Sequence, residues 1–224
     1  MKENGIVKAL HLPLPSVLAV VGCGGKTSLI KRLAESYQSE NVLISPTTKM
    51  YPIKAGSAHC CGAFNAETGK LEALPAGELA GLASRYDIVL LEADGSRSLP
   101  CKGWMEDEPV VPAYCTHTVG VVTINGLGKA ATGEIVHNLP QFLALTGLRE
   151  GQTITRQALC DMVCAPGGMF KNSAGSRILL VNQIEDRKGA EMAGALLLTI
   201  KKRAPGFFAR MLLGSVHNDI WREV

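Results

Sequence analysis

A three-layer α/β fold, with a mainly parallel sheet flanked by helices on both faces, is what this sequence predicts. Three observations predict it. Short apolar runs ending in Gly, Pro or a carboxylate recur along the chain, as strands buried on both faces do. Segments with apolar residues at helical spacing alternate with them. A glycine-rich turn joins the first such strand to the first such helix. The 224 residues suit a single domain over 1–224 with one small insertion.

The elements follow in order. SVLAVVG (16–22) is a continuous apolar run ending in Gly, and from Lys26 the residues Leu29, Ile30 and Leu33 fall at helical spacing. NVLISPTT (41–48) is a second strand. HCCGAFNAETGKLEAL (59–74) reads as two short strands around an Asn-Ala-Glu-Thr-Gly turn, a β-hairpin insertion at about 57–75. AGELAGLASRY (76–86) is a helix, and DIVLLEADG (87–95) a buried strand tipped with acids. HTVGVVTING (117–126) is a further strand; NLPQFLALTG (138–147) and TITRQALCDMVCAPGG (153–168) are helices, the second capped near Thr153 or Thr155. SRILLVNQIE (176–185) is a strand, and KGAEMAGALLLTIKKRA (188–204) a helix whose basic last turn suits the macrodipole. RMLLGSVH (210–217) reads as the final strand. Parallel strands joined by crossovers end on one edge of the sheet, where open α/β sheets bind ligands. Gly22, Thr47, Glu92, Asp94, Asn125 and Asn182 all fall at or just after such ends.

Composition narrows the function. A net charge near +3 with no Lys/Arg run argues against nucleic acid. No apolar run is long enough to span a bilayer, and MKENGIVKALHLPLPS lacks a signal-peptide core. Seven cysteines without a regular framework suit free thiols in a reducing cytoplasm.

The strongest chemical signal is VVGCGGKTS. The usual phosphate loop is G-x-x-x-x-G-K-[ST], which would require glycine at Val20. The shorter G-x-x-G-K-[ST] fits Gly22-Cys23-Gly24-Gly25-Lys26-Thr27, followed by Ser28. Glycines let backbone N–H groups turn onto an anion, and a helix N-terminus adds unpaired donors and positive dipole charge. Lys26 is placed to reach the β/γ-phosphates and Thr27 to hold Mg2+. ATP or GTP with Mg2+ is therefore the expected ligand. The abbreviated loop also resembles the variant cradle of the Mur-type amide ligases. Cys23 lies near a helix N-terminus, which lowers a thiol pKa, and is expected within the binding loop.

An apolar strand ending in an acid is what holding Mg2+ opposite the loop hydroxyl requires. Glu92 and Asp94 sit two apart, so they project the same way from an extended strand. Asp94 is the expected metal partner of Thr27, and Glu92 the water-orienting base; Lys26, Asp94 and Glu92 form the expected catalytic set. Thr47 and Thr48, after the second strand, are placed to reach the ion or the terminal phosphate. VNQIED resembles the guanine-reading Asn-Lys-x-Asp element, with Asn182 in place, Gln183 where Lys would stand, and Glu185 or Asp186 as its acid. NGLGKA offers Lys129 as a second anion contact, and His137 sits before a helix. Residues 94–112 form a long irregular connection at the ligand edge, with Arg97, Lys102 and Glu108 as substrate or switch contacts. Cys160 and Cys164 share a helix face, and cysteines there are more often core than ligands.

Taken together, VVGCGGKTS, SPTTKM, LLEADGSRSLPCKG with EPVVP, GLGK and VNQIED are similar in order and spacing to the YqeC family, accessory proteins for selenium-dependent molybdenum hydroxylases. The resemblance implies a P-loop NTPase-like fold and nucleotide binding through Gly22, Gly24, Gly25, Lys26 and Thr27. It also implies a role in maturing a molybdenum hydroxylase or its cofactor. The altered guanine element leaves ATP and GTP both open. Three functions follow: an NTPase assisting that maturation, a non-hydrolysing nucleotide switch that docks a client, and a small-molecule kinase.

Overall fold

The computed structural model describes residues 5–224. Helix α1 (Gly5–Leu10) leads into strand β1 (Ser16–Gly22) and helix α2 (Lys26–Ser36). Strands β2 (Val42–Pro46), β3 (Lys49–Met50), β4 (His59–Cys60), β5 (Ala63–Asn65) and β6 (Lys70–Glu72) follow. Next come helix α3 (Ala76–Ala83) and strands β7 (Ile88–Glu92), β8 (Cys101–Lys102), β9 (His117–Thr123) and β10 (Val136–His137). The chain ends with helices α4 (Leu139–Thr146) and α5 (Arg156–Cys164), strand β11 (Ser176–Asn182), helix α6 (Arg187–Arg203), and strands β12 (Arg210–Ser215) and β13 (Ile220–Glu223).

The main sheet has the order β13-β12-β11-β9-β1-β7-β2-β4. Every pairing is parallel except β12 with β13. The loop-bearing strand β1 is central, between β7, which carries the acids, and β9. Strand alternation sorts the apolar side chains into two cores. Leu18, Val20, Ile44, Leu90, Val121 and Leu180 pack beneath α1 and α2 on one face. Ala19, Val21, Leu43, Leu91, Val122 and Val181 pack beneath α3, α4, α5 and α6 on the other. The crossover from β1 to β2 runs one way along the sheet and carries α2. Those from β2 to β7, β9 to β11 and β11 to β12 run the opposite way and carry the helices of the other face. This is the division that a constant right-handed crossover imposes.

Helix α2 forms because Leu29, Ile30 and Leu33 make one apolar stripe, and all three are buried. Its run ends at Tyr37, whose N–H donates to the Leu33 carbonyl at 3.0 Å. Burying each of those side chains contributes about 1.5–3 kcal/mol. Leu33→Ala is the single change that opens this interface, at a cost of about 2–5 kcal/mol.

The structure adds to and corrects the element assignment. His59–Cys60 does not belong to the hairpin; it extends the main sheet beside β2, and the hairpin is β5 with β6, joined by β3. The final strand is β13 rather than β12, antiparallel at the sheet edge. Strands β3, β4, β8 and β10 have two residues each, too few to show any period. Of the N-terminal stretch read for a signal core, residues 1–4 lie outside the described residues and α1 follows them. Among the described residues, no helix is long and apolar enough to cross a membrane.

Candidate functional site

At the C-terminal edge of the sheet, the turn between β1 and α2 bends through left-handed backbone at Gly22 (φ 100°), Gly24 (φ 105°) and Gly25 (φ 112°). A Cβ on Gly25 would meet Asn182 Nδ2 at 2.6 Å, and one on Gly24 would meet the Thr123 side chain at 2.8 Å. Glycine is therefore needed both for the dihedral and for the space. The loop is pinned by its neighbours. Gly22 N–H donates to the Asp94 carboxylate at 3.0 Å, Cys23 N–H donates to Val121 O at 2.8 Å, and Asn182 Nδ2 donates to Gly24 O at 2.8 Å. Among the described residues, the N–H groups of Gly24 and Gly25 have no acceptor, and α2 begins without a side-chain cap. These donors join the unpaired amides of the helix's first turn and its positive dipole end. The arrangement is a ready anion cradle.

Behind the loop lies a buried charge cluster. Lys26 Nζ donates to Gly22 O at 2.6 Å and Ser96 Oγ at 3.2 Å, and sits 3.1 Å from Asp94 Oδ1. Burial disfavours its charged form, yet the charges of Asp94 and Glu92 outweigh that and hold the ammonium above the ordinary lysine pKa. Asp94, fully buried, also accepts from the Trp104 indole at 2.7 Å and lies 3.6 Å from Lys102 Nζ. Lys102 is itself fully buried and bridges to Glu108 at 3.0 Å and to the Gly95 carbonyl. Buried ions of this kind persist only when paired and hydrogen-bonded throughout, as these are.

Glu92 has a different setting. It accepts from the Thr27 hydroxyl at 3.0 Å and borders open space. Burial raises its pKa above the usual carboxylate value, with Lys26 and the Thr27 hydrogen bond opposing the shift.

The open space is a cleft of about 800 Å³. Gly24, Gly25, Lys26, Thr27 and Ser28 form its base. Thr48 to Tyr51 and Lys70 line it where β2 and the hairpin lead away; Ser96, Arg97, Lys129 and His137 line it elsewhere. Thr48 Oγ1 is buried beside this cleft and has no hydrogen-bond partner among the described residues. Thr47, in contrast, donates its hydroxyl to Val110 O at 2.6 Å, which ties down the 94–112 connection. A second cavity of about 350 Å³ adjoins the same loop, lined by Ser28, Arg32, Asn182, Glu185, Ser215 and His217. Asn182 lines this smaller cavity: besides its bond to Gly24, its Oδ1 accepts from Val216 N–H at 2.9 Å. Asp186 is occupied as the N-cap of α6, accepting from Gly189 N–H at 2.6 Å, so Glu185 is the acid of VNQIED that lines this cavity.

The structure thus brings Gly22, Gly24, Gly25, Lys26, Thr27, Glu92 and Asp94 together, with Ser28 and Thr48 beside them. The expectation for Cys23 is overturned. Its thiol is fully buried and donates to Pro100 O at 3.1 Å, and burial pushes its pKa up to about 12. Desolvation outweighs the helix N-terminus. Among the described residues, no group of three or more His, Cys, Asp or Glu gathers to hold a metal, Cys160 and Cys164 included. Trp104, Ser96 and Lys70 were not singled out by the sequence reading. A tryptophan within a polar, irregular segment is the one signal that could have marked Trp104, because a buried indole N–H seeks a partner.

Comparison with known proteins agrees with the resemblance. The family described as YqeC protein matches residues 18–140. The chain is also 30% identical over 214 residues to the uncharacterized protein YqeC of Escherichia coli (strain K12), an alignment that covers 84% of each chain.

Proposed function

Because the chain belongs to the YqeC family, whose matched relative carries no assigned activity, we propose its function from the site itself: a nucleotide-binding protein that acts on the terminal phosphate of ATP or GTP with Mg2+. The observation that carries this reading is the pair of acceptorless N–H groups on left-handed Gly24 and Gly25, opening a helix with no side-chain cap. That cradle suits phosphate and has no structural use for its donors.

The donor set fits the ion as well. Mg2+ is held through one or two carboxylates plus substrate phosphates and water, and Thr27 with Glu92 supplies a hydroxyl and a carboxylate at the cleft. When bound, the ion neutralises charge on the phosphate oxygens. The roles drawn from sequence for the two acids are exchanged in this reading. Glu92 serves the metal, and Asp94, enclosed by four donors, fixes Gly22, Lys26 and Trp104 in place. Lys26 has three donors and three partners, so contact with a phosphate exchanges one of them. Ser96, on a loop, is the partner that yields. Thr48, which lines the same cleft as Thr27 and Glu92, orients the attacking water or acceptor in this reading. The smaller cavity beside Ser28 and Glu185 receives the base.

Calorimetry with ATP and GTP, with and without Mg2+, tests this directly. Saturable Mg2+-dependent binding lost in Lys26→Met is the expected result; equal affinity in both chains refutes it. A second reading, the non-hydrolysing switch, is favoured by one feature: Asp94 ties the loop to the 94–112 connection through Trp104 and Lys102. Tight binding without turnover, accompanied by a change in tryptophan fluorescence, selects it. The family resemblance adds a client, a selenium-dependent molybdenum hydroxylase or its maturing cofactor. Nucleotide-dependent co-purification of the hydroxylase tests that role, and recovery independent of nucleotide counts against it.

A further inference from the structure

The nucleotide reading leaves most of the large cleft unexplained. The adjoining cavity of about 350 Å³ suffices for a base, whereas the main cleft measures about 800 Å³. A phosphate chain on the loop occupies only its base. The remaining lining is cationic. Of its lysines and arginine, Lys26 is paired with Asp94 and Lys49 with Glu72 at 2.9 Å. Among the described residues, Arg97 and Lys129 form no ion pair with a carboxylate; Lys70 lies over the Tyr51 ring, 5.0 Å from its centroid, and its charge acts on Glu92.

Arg97 is also held in place by the backbone. Arg97 (φ 49°) and Ser98 (φ 61°) are consecutive left-handed residues, neither of them glycine. Such backbone is strained and persists only where its surroundings enforce it. Here the turn closes through Leu99 N–H donating to Ser96 O at 2.9 Å, and the strand pair β8 with β10 sets His137 beside Lys102. Strand order places Lys129, which follows β9, on one side of the central loop and Lys70, on the hairpin after β2, on the other. His137 is half-buried, and burial, then the charges of Lys102 and Arg97, push its pKa below the usual histidine value. The Glu108 and Asp94 charges oppose that shift.

We propose that Arg97, Lys129 and His137 form a second anion site for a small phosphorylated co-substrate, seated in the cleft beside the terminal phosphate of the nucleotide. This rests on the nucleotide reading for the occupant of the loop alone. A phosphate monoester fits best because the guanidinium fork matches phosphate oxygens and a lysine adds a point charge. Thr48 and Glu92 line the same cleft. The chain then acts on two substrates at once, as a phosphotransferase does and a simple hydrolase does not.

Inorganic phosphate is the probe. It is titrated by calorimetry into the full chain saturated with Mg2+ and a non-hydrolysable ATP or GTP analogue. The expected result is a distinct, saturable phosphate event. In Arg97→Asn, an asparagine being able to keep the left-handed backbone, and in Lys129→Gln, it weakens by about 10–100-fold with nucleotide affinity unchanged. Both side chains are exposed, and melting temperatures confirm that the variants fold. Phosphate that only competes with nucleotide, or that binds the double variant as before, overturns the inference. Should the chain take up no nucleotide at all, the same titration is read on nucleotide-free Lys26→Met. Phosphate binding that depends on Arg97 and Lys129 then upholds the second site while the nucleotide reading fails, and binding independent of them removes it.

Discussion

Three of this chain's helices begin in three different ways, and of these only α2 opens on glycine; α3 and α4 also start without a side-chain cap, after Pro75 and Asn138. Helix α6 starts at Asp186, whose carboxylate accepts from Gly189 N–H at 2.6 Å. Helix α5 starts at Thr155, whose hydroxyl accepts from Ala158 N–H at 3.2 Å. Helix α2 starts at Gly25, with no side chain to offer. A side-chain cap contributes about 1 kcal/mol. At α5 and α6 that energy stabilises the fold; at α2 it is forgone, and the donors stay free for a ligand. The difference separates helix starts closed by a side chain from one that opens on left-handed glycines at the edge of the cleft. Asp94 stands behind the loop, gripping Gly22 and Lys26, while Glu92 accepts from Thr27 at the cleft.

The comparison is most sharply broken at Asp94. Asp94→Ala leaves Lys26, Lys102 and the Trp104 indole without their shared partner, and should cost about 3–5 kcal/mol of stability. Thermal and urea unfolding measure this; a loss below about 1 kcal/mol would mean the cluster does not hold the loop. Next comes closing the open start. Gly25→Asp supplies the missing cap but sets a side chain against Asn182, in backbone unfavourable to it. Nucleotide binding by calorimetry should fall by about 100-fold or more, from loss of charge-assisted hydrogen bonds and added repulsion. Thr27→Ala, at an exposed position, should lower Mg2+-dependent affinity by about tenfold and leave Mg2+-free binding alone. The smallest effects are expected at the closed starts. Asp186→Ala and Thr155→Ala should each remove about 1 kcal/mol by chemical unfolding, with nucleotide affinity unchanged. A large loss of binding in either would show that the capped helices also serve the site.

Cys23 adds a chemical check on the same helix start. A thiol lowered by the dipole would alkylate at neutral pH, whereas one raised to about 12 should resist while the chain is folded. Mass spectrometry should find label first on the partly exposed Cys60, since burial raises the Cys61 thiol and the hydrogen bond with Cys160 raises that of Cys164.

Much of this could be read along the chain. β1, α2, β7, β9, β11 and α6 were legible because long buried strands and an amphipathic stripe carry their own period. The loop glycines, Lys26 and Thr27 were legible because dihedral and charge requirements are local. The two-residue strands, the edge strand β13 and the pairing of His59–Cys60 with β2 were not, since contacts distant in sequence decide them.

The sequence by itself determined an α/β alternation, a phosphate-type turn and two acids on one strand tip. Only the tertiary structure decided where each acid stands. Asp94 was enclosed when Trp104 and Lys102 folded back onto it, Glu92 was left at the cleft with Thr27, and Cys23 was buried beneath the loop. Spacing sets the direction in which a side chain leaves the backbone. What it meets there, and hence its charge and its work, depends on segments that arrive from elsewhere in the chain.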